Sequence, residues 1–150
     1  MHVSFALFCD AANISREGKL NILGVFDAIQ VGSLPAVHPR ANLVVRLKGG
    51  PDDIGAHTLT MRWVNPRGDE LWTSSGHLDV AAPPPGAPGG APGREMDLPL
   101  IAALDLPVDL PGEYTLHIAL DDEPKTSVRL QVHGQAIMPQ VGGTAPTMVS

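Results

Sequence analysis

Cysteine and aromatic residues are scarce in this sequence of 150 residues, which has one Cys, two Trp, one Tyr and three Phe. Because Cys9 has no second cysteine to pair with, an internal disulfide is excluded. Long apolar runs are also missing, since no stretch approaches the ~20 apolar residues of a membrane-spanning helix. Residues 1–10 lack the basic segment and the apolar stretch of a secretory signal, so we expect a cytoplasmic protein.

Basic residues are in the minority, with 10 Lys and Arg against 16 Asp and Glu and a net charge of −6. An acidic balance repels nucleic acid and anionic membrane surfaces, so we expect neither as a partner. The cations of the first fifty residues are not interleaved with aromatic residues, unlike those of a surface that stacks single-stranded nucleic acid.

Alternation of apolar and polar residues is what the sequence does have, and it recurs along much of the chain. A period of two is typical of half-buried β-strands, whereas an amphipathic helix repeats near 3.6 residues. The alternating runs are Val3–Cys9, Leu43–Leu47, Leu59–Trp63, Tyr114–Leu120 and Val128–Val132. This pattern predicts an all-β fold, an antiparallel β-sandwich of the immunoglobulin-like or C2-like kind, with about seven to eight strands and little helix.

Turn sequences separate several of these runs. Asn65–Asp69 has Pro66 where a type I turn favours a φ of about −65° and Gly68 where the chain needs a positive φ, so a hairpin is predicted there. Ser15–Lys19 repeats the scheme. Asp121–Pro124 contains turn-forming residues and is predicted to connect the last two strands as a C-terminal hairpin.

The segment Leu20–Val31 is apolar at both alternating positions. Such a pattern favours a strand that is covered on two sides, so we expect this strand at the centre of a sheet. Gly24 interrupts it and is predicted to mark a bulge or a close approach of another part of the chain.

Residues 1–133 are predicted to form a single domain, with two segments outside its core. Residues 81–94 contain five Pro and four Gly, and this composition predicts an exposed loop within the domain. Residues 134–150 are uncharged and are expected to be flexible or docked on a partner. The scattered apolar residues of this C-terminal tail are Ile137, Met138, Val141, Met148 and Val149.

The N-terminal third carries a family resemblance. The runs Phe5–Asn13, Gly18–Asp27, Leu34-Pro35 and His38–Arg40 resemble a family of small bacterial proteins of unknown function, and Pro111–Tyr114 with the final hairpin resembles it more loosely. The resemblance implies a single β-sandwich domain. It implies no catalytic residues, and residues 81–94 and the tail look like additions to the family pattern. We expect no cofactor.

A non-catalytic binding or self-assembly module is the function that the sequence favours. We find no nucleophile, base and metal ligand that the sequence pattern brings together, so we do not expect an enzyme. Edge strands of a sandwich offer unpaired backbone groups, and the uncharged tail is able to add a strand to a neighbour. We therefore expect a protein partner or a second copy of the chain, with self-association through the tail.

A small enzyme or ligand-binding domain is the alternative. Its polar site would lie around Asp10, Asn13, Asp27 and His38, which are the polar residues of the resembling segment. Asp10 and Asp27 interrupt apolar runs, and we expect them to be paired, hydrogen-bonded or close to solvent. Cys9 shares its alternation with apolar residues, so it is expected to pack as a small hydrophobic side chain.

Calcium-dependent binding is a third and weaker hypothesis. Carboxylates cluster in the predicted turns at Asp52-Asp53 and at Asp121-Asp122-Glu123, and clustered oxygens in sandwich loops suit calcium. Neither cluster has the regular spacing of a dedicated calcium loop. The six histidines show no zinc-binding spacing, so no transition metal is expected.

Overall fold

Two β-sheets packed face to face make up the fold, as described by a computed structural model for residues 1–82 and 95–134. The first sheet has the strand order β2-β1-β4-β7 and the second has the order β3-β9-β8-β5-β6. One turn of 3-10 helix, Pro51–Asp53, follows β4. The strands are β1 His2–Ile14, β2 Leu20–Phe26, β3 Ala28–Gln30, β4 Ala36–Gly49, β5 Gly55–Val64, β6 Glu70–Val80, β7 Met96–Val108, β8 Gly112–Leu120 and β9 Glu123–His133.

The all-β sandwich predicted from the alternation is confirmed. The described residues form nine strands rather than seven to eight, and all strand pairs except β3–β9 are antiparallel. No helix among residues 1–82 and 95–134 is long and apolar enough to cross a membrane. The predicted loop at 81–94 lies almost wholly outside the described residues, as does the tail beyond Gly134.

The three predicted hairpins are confirmed, and their turns have the expected backbone. Gly18 and Gly68 adopt φ values of +83° and +88° in the β1–β2 and β5–β6 turns. The Oδ1 atom of Asn65 accepts hydrogen bonds from the backbone N–H groups of Arg67 and Asp69, both at 2.9 Å. Asp121 and Asp122 both have positive φ, which makes the β8–β9 connection a two-residue turn of the kind that suits a twisted hairpin.

Trp63 and Tyr114 form the centre of the core between the sheets. Their rings stack with centroids 5.2 Å apart, and the rings of Trp63 and Phe8 are perpendicular with centroids 6.2 Å apart. The Trp63 indole N–H donates to the backbone oxygen of Pro107 at 2.9 Å. Both polar atoms of this buried pair are satisfied, because the Tyr114 hydroxyl accepts from the backbone N–H of Asp109 at 2.8 Å.

The alternation of β1 changes face at a bulge, which corrects the sequence interpretation of Val3–Cys9 as one uninterrupted alternation. The pairing of β1 with β4 shifts between Val3 and Phe5. Val3 packs on the core, but after the shift Ala6 and Phe8 face inward instead of Phe5 and Leu7. A bulge adds one residue to a strand, so it moves all later side chains to the opposite face.

The predicted central strand Leu20–Val31 is wrong in its position. It is divided into two edge strands, because β2 lies at the edge of the first sheet and β3 at the edge of the second. Asp27 stands between them, and its backbone oxygen accepts a hydrogen bond from the N–H of Gln131 at 2.8 Å. The segment changes sheets at this point, and one face of β2 is left uncovered, because Leu23 and Val25 are exposed while Leu20, Ile22 and Phe26 are half-buried.

Candidate functional site

The two sheets have four outer strands, and three of them are protected against pairing with another chain. β7 contains Pro99 and Pro107, which lack a backbone N–H, and Asp97 and Asp105, which add charge. β6 begins at a glutamate and has Asp79 near its end. β3 has only three residues. Short strands, prolines and charges are the usual means by which proteins block edge-to-edge pairing.

β2 has neither a charge nor a proline over its seven residues Leu20–Phe26. Within the described residues, β1 is its only strand neighbour. Leu23 and Val25 are 71% and 60% exposed, the highest values among the exposed large apolar side chains of residues 1–82 and 95–134. The β2 edge therefore combines unpaired backbone groups with two exposed apolar side chains, which is the pattern of a strand that accepts a neighbour.

Gly24 allows β2 to pass close to Asp10, as the sequence predicted for this glycine. Its φ is +70°, and a Cβ atom at this position would lie 2.3 Å from Oδ2 of Asp10. The pairing of β1 with β2 keeps the same register on both sides of Gly24, from Ile14↔Leu20 to Phe8↔Phe26. The β2 edge is thus continuous in register despite the left-handed glycine.

The proposed polar site is placed beside this edge, but each of its four residues has its own surroundings. Asp10, Asn13 and Asp27 are exposed, and His38 is half-buried. The Asn13 Oδ1 atom accepts from Asn21 Nδ2 at 2.8 Å, and the ring of His38 meets that of Phe26 edge-on at 5.6 Å. Among the described residues, no hydrogen bond joins one member of the set to another. The enzyme and ligand-binding alternative stays a prediction.

The two acidic turns of the calcium hypothesis meet at one end of the sandwich, where His57 connects them. Nδ1 of His57 lies 2.6 Å from Oδ2 of Asp121, and Nε2 lies 2.6 Å from the backbone oxygen of Asp53. Asp121 Oδ1 also accepts from the N–H of Thr58 at 2.9 Å, and Asp53 Oδ2 accepts from the N–H of Gly50 at 2.8 Å. The two turns are thus joined by hydrogen bonds through His57 and Thr58.

The chemistry of this cluster is set by two acceptors that face one imidazole ring. A carboxylate and a carbonyl oxygen accept but do not donate, so both ring nitrogens of His57 must carry protons to make both bonds. The bond to Asp121, followed by the bond to Asp53, raises the pKa of His57. The pKa of Asp121 is lowered, first by the bond to His57. His57 has no free ring nitrogen to act as a general base.

The part of the chain that the structure describes contains no cluster of side chains that could bind a metal ion. No group of three or more His, Cys, Asp or Glu residues there is arranged to hold a metal ion. The carboxylates of Asp53 and Asp121 are already hydrogen-bonded, and that of Glu123 lies 3.3 Å from Nζ of Lys125. The calcium hypothesis therefore gains no ligand set from these residues.

Cys9 is fully buried, as the sequence predicted. It pairs with Val25 of β2 and Asn42 of β4. Burial raises the pKa of its thiol, so the thiolate form is disfavoured. Cys9 thus packs as a small hydrophobic side chain on β1, the strand next to β2.

A model for a family described as "Family of unknown function (DUF6941)" matches residues 4–133. The chain belongs to DUF6941. The DUF6941 match runs from β1 to the last residue of β9, so the family resemblance inferred from the N-terminal third is confirmed and extends over the whole sandwich. No curated protein matches this DUF6941 chain.

Among solved structures, this DUF6941 chain is similar to an immunoglobulin-like protein from Pseudomonas aeruginosa. The two chains are 13% identical with a TM-score of 0.41, and the match covers 88% of this chain and 95% of the other. Because the DUF6941 description assigns no function, a role for the chain has to be argued from the geometry of its surface.

Sequence reasoning missed two features of this surface. The His57 cluster brings together His57 and Asp121, which are 64 positions apart, and nothing in the local sequence indicates that they are neighbours. The β2 edge did leave a signal, the uncharged run Leu20–Phe26. That run was interpreted as a buried strand, because exposed and doubly covered apolar strands have the same sequence pattern.

Proposed function

We propose that this protein is a non-catalytic protein-binding module whose β2 edge accepts an extended segment of a partner protein as an added strand. The observation that carries the proposal is the β2 edge itself, an uncharged seven-residue outer strand with Leu23 and Val25 largely exposed. In strand addition, backbone hydrogen bonds supply affinity and alternate side chains supply specificity.

The chemistry of β2 defines the segment that fits. Leu23 and Val25 lie on the outer face of the sheet, so a partner strand gains most by placing apolar side chains beside them. A charged residue in the middle of the partner strand would lose hydration without a counter-charge, because β2 has no charged residue. The partner segment is therefore extended, apolar at alternate positions and uncharged at its centre.

A labelled peptide with the sequence of residues 19–27 is the probe for this proposal, used with the full chain. We expect the peptide to bind and to slow hydrogen exchange of the β2 amides. Leu23→Lys should weaken binding about tenfold, since burying a leucine side chain contributes about 1.5–3 kcal/mol and an edge lysine opposes pairing.

Val37→Lys is the matched control, because Val37 is 57% exposed but lies on β4, away from the β2 edge, where it pairs with Pro107 of β7. This variant should bind the peptide as the unmodified protein does. The proposal is refuted if β2 amides gain no protection from the peptide, or if both lysine variants bind it equally well.

A further inference from the structure

We infer that the partner at the β2 edge is a second copy of this chain, paired antiparallel across a two-fold axis at Leu23. The inference rests on the proposed function and goes beyond it by naming the partner and the register. Two copies of β2 could pair parallel or antiparallel and in several registers. The charges at the two ends of β2 favour one antiparallel register.

The charges that flank β2 differ in sign. Lys19 directly precedes the strand and Asp27 directly follows it. In an antiparallel pair each Lys19 lies beside the Asp27 of the other copy, so that both ends of the interface carry an opposite-charge pair. A parallel pair would place Lys19 beside Lys19 and Asp27 beside Asp27, and like charges directly opposite each other are destabilising.

The same register also matches the apolar residues. When Lys19 is opposite Asp27, Leu20 is opposite Phe26 and Leu23 is opposite Leu23 of the second copy. Leu20 and Phe26 are half-buried, whereas Leu23 is exposed, so residues of like surroundings meet. A slip of one residue would place the exposed side chains of one copy opposite the half-buried side chains of the other. A slip of two residues would separate Lys19 from Asp27.

The two flanking charges are available for such pairing. Nζ of Lys19 lies 3.3 Å from Oε2 of Glu17, but both side chains are about three-quarters exposed, at 76% and 74%, so this ion pair contributes little. Asp27 is exposed, and within residues 1–82 and 95–134 its carboxylate has no hydrogen-bond or ion-pair partner. Pairing at β2 would join the two four-stranded sheets into one sheet of eight strands.

Charge reversal and mixing test the pairing, with sedimentation equilibrium of the full chain as the measurement. We expect the unmodified protein to form dimers as its concentration rises. Lys19→Asp alone and Asp27→Lys alone should each raise the dimer dissociation constant at least about tenfold, because each change makes both charge pairs of the symmetric dimer repulsive.

An equimolar mixture of these two variants should form heterodimers with a dissociation constant within about threefold of the unmodified value, since both charge pairs are then opposite in sign again. Arg129→Asp and Glu113→Lys are the controls. They reverse an exposed ion pair on the second sheet, where Nε and Oε1 lie 3.7 Å apart, and they change the net charge equally. These controls should leave the dimer constant unchanged.

Different failures have different meanings. If the full chain stays monomeric at millimolar concentration while the peptide of residues 19–27 still protects β2, self-pairing is refuted and strand binding stands. If neither dimer nor peptide protection occurs, both proposals fail. If a dimer forms but the mixture of charge-reversed variants does not restore it, the antiparallel register is wrong.

Discussion

At the scale of the residue, His57 shows how one side chain joins parts of the chain that are far apart in sequence. Its ring is held between the carboxylate of Asp121 and the backbone oxygen of Asp53. The surrounding charged groups include the amino nitrogen of Met1, which lies 3.0 Å from Oδ1 of Asp53, and Lys125, which lines the same small cavity. The protonated ring is the form that satisfies both acceptors.

The stability that His57 contributes should depend on pH. Its pKa is raised in the folded state, so the contribution is complete below its unfolded pKa of about 6.5 and is lost as pH rises through the folded pKa. The pKa of Asp121 is lowered, so its part is present above the unfolded pKa of about 3.9. Thermal unfolding should show the unmodified protein more stable than His57→Gln by roughly 2–4 °C at pH 5.5, with a smaller difference at pH 8.5.

Asp121→Asn is the control for that experiment, because asparagine tolerates the positive φ at this turn but carries no charge. This variant should lose most of the same pH dependence. A difference between the unmodified protein and His57→Gln that is constant from pH 5.5 to pH 8.5 would show that His57 acts through packing alone.

At the scale of the element, β2 depends on the absence of a side chain at Gly24. Gly24→Ala should destabilise the protein by about 1–2 kcal/mol, because alanine is disfavoured at φ +70° and its Cβ would lie 2.3 Å from Oδ2 of Asp10. Urea denaturation measures the change. In an Asp10→Ala background the cost should be smaller, since the contact with the carboxylate is removed and the backbone term remains. Equal costs in both backgrounds would show that Asp10 exerts no steric constraint on Gly24.

The elements that the sequence predicted well are those whose signal is local. The β5–β6 and β8–β9 hairpins follow from alternation beside a turn sequence, and both turns have the backbone that their residues favour. The position of β2 was not predictable in the same way. An apolar strand buried on both faces and an apolar strand left exposed at an edge differ only in their neighbours, which alternation does not identify.

The sequence also failed to predict which face of β1 packs on the core, for a similar reason. Val3, Phe5 and Leu7 alternate regularly in sequence, but the shift of register after Val3 puts Phe8 into the core. A bulge is decided by the fit of β1 to β4, so the sequence of β1 alone does not reveal it. A polar site around Asp10, Asn13, Asp27 and His38 was a hypothesis from their shared segment, and the surroundings of each side chain are set by the neighbouring strands rather than by that segment alone.

At the scale of the whole molecule, the family match includes the buried core of the described residues. The match covers residues 4–133, and the fully buried core residues of the described chain, from Phe8 to Val132, lie within it. A chain that ends at Gly134 should therefore unfold in one cooperative transition, with a midpoint within about 3 °C of that of the full chain. A chain that ends at Ser127 loses the core residues Val128, Leu130 and Val132 and should not fold. Calorimetry checks both outcomes.

The same truncation separates two routes of self-association. If the predicted tail of residues 134–150 joins the copies, the chain ending at Gly134 should be monomeric. If the β2 edge joins them, this chain should have the same dimer constant as the full chain in sedimentation equilibrium. Loss of dimers from a folded truncated chain would therefore contradict pairing at β2.

The change of sheets at Asp27 links the two layers of the sandwich through a single residue. β2 and β3 belong to different layers but are separated by one residue, and β3 is hydrogen-bonded to β9. The layers are thus tethered along this side. On the other side, β7 is also joined to the second layer, by residues 109–111 before β8 and by the hydrogen bond from the Trp63 indole N–H to the backbone oxygen of Pro107. Because both sides are linked across the layers, the sheets should part only in global unfolding, and the indole proton of Trp63 should exchange with solvent no faster than the slowest backbone amides.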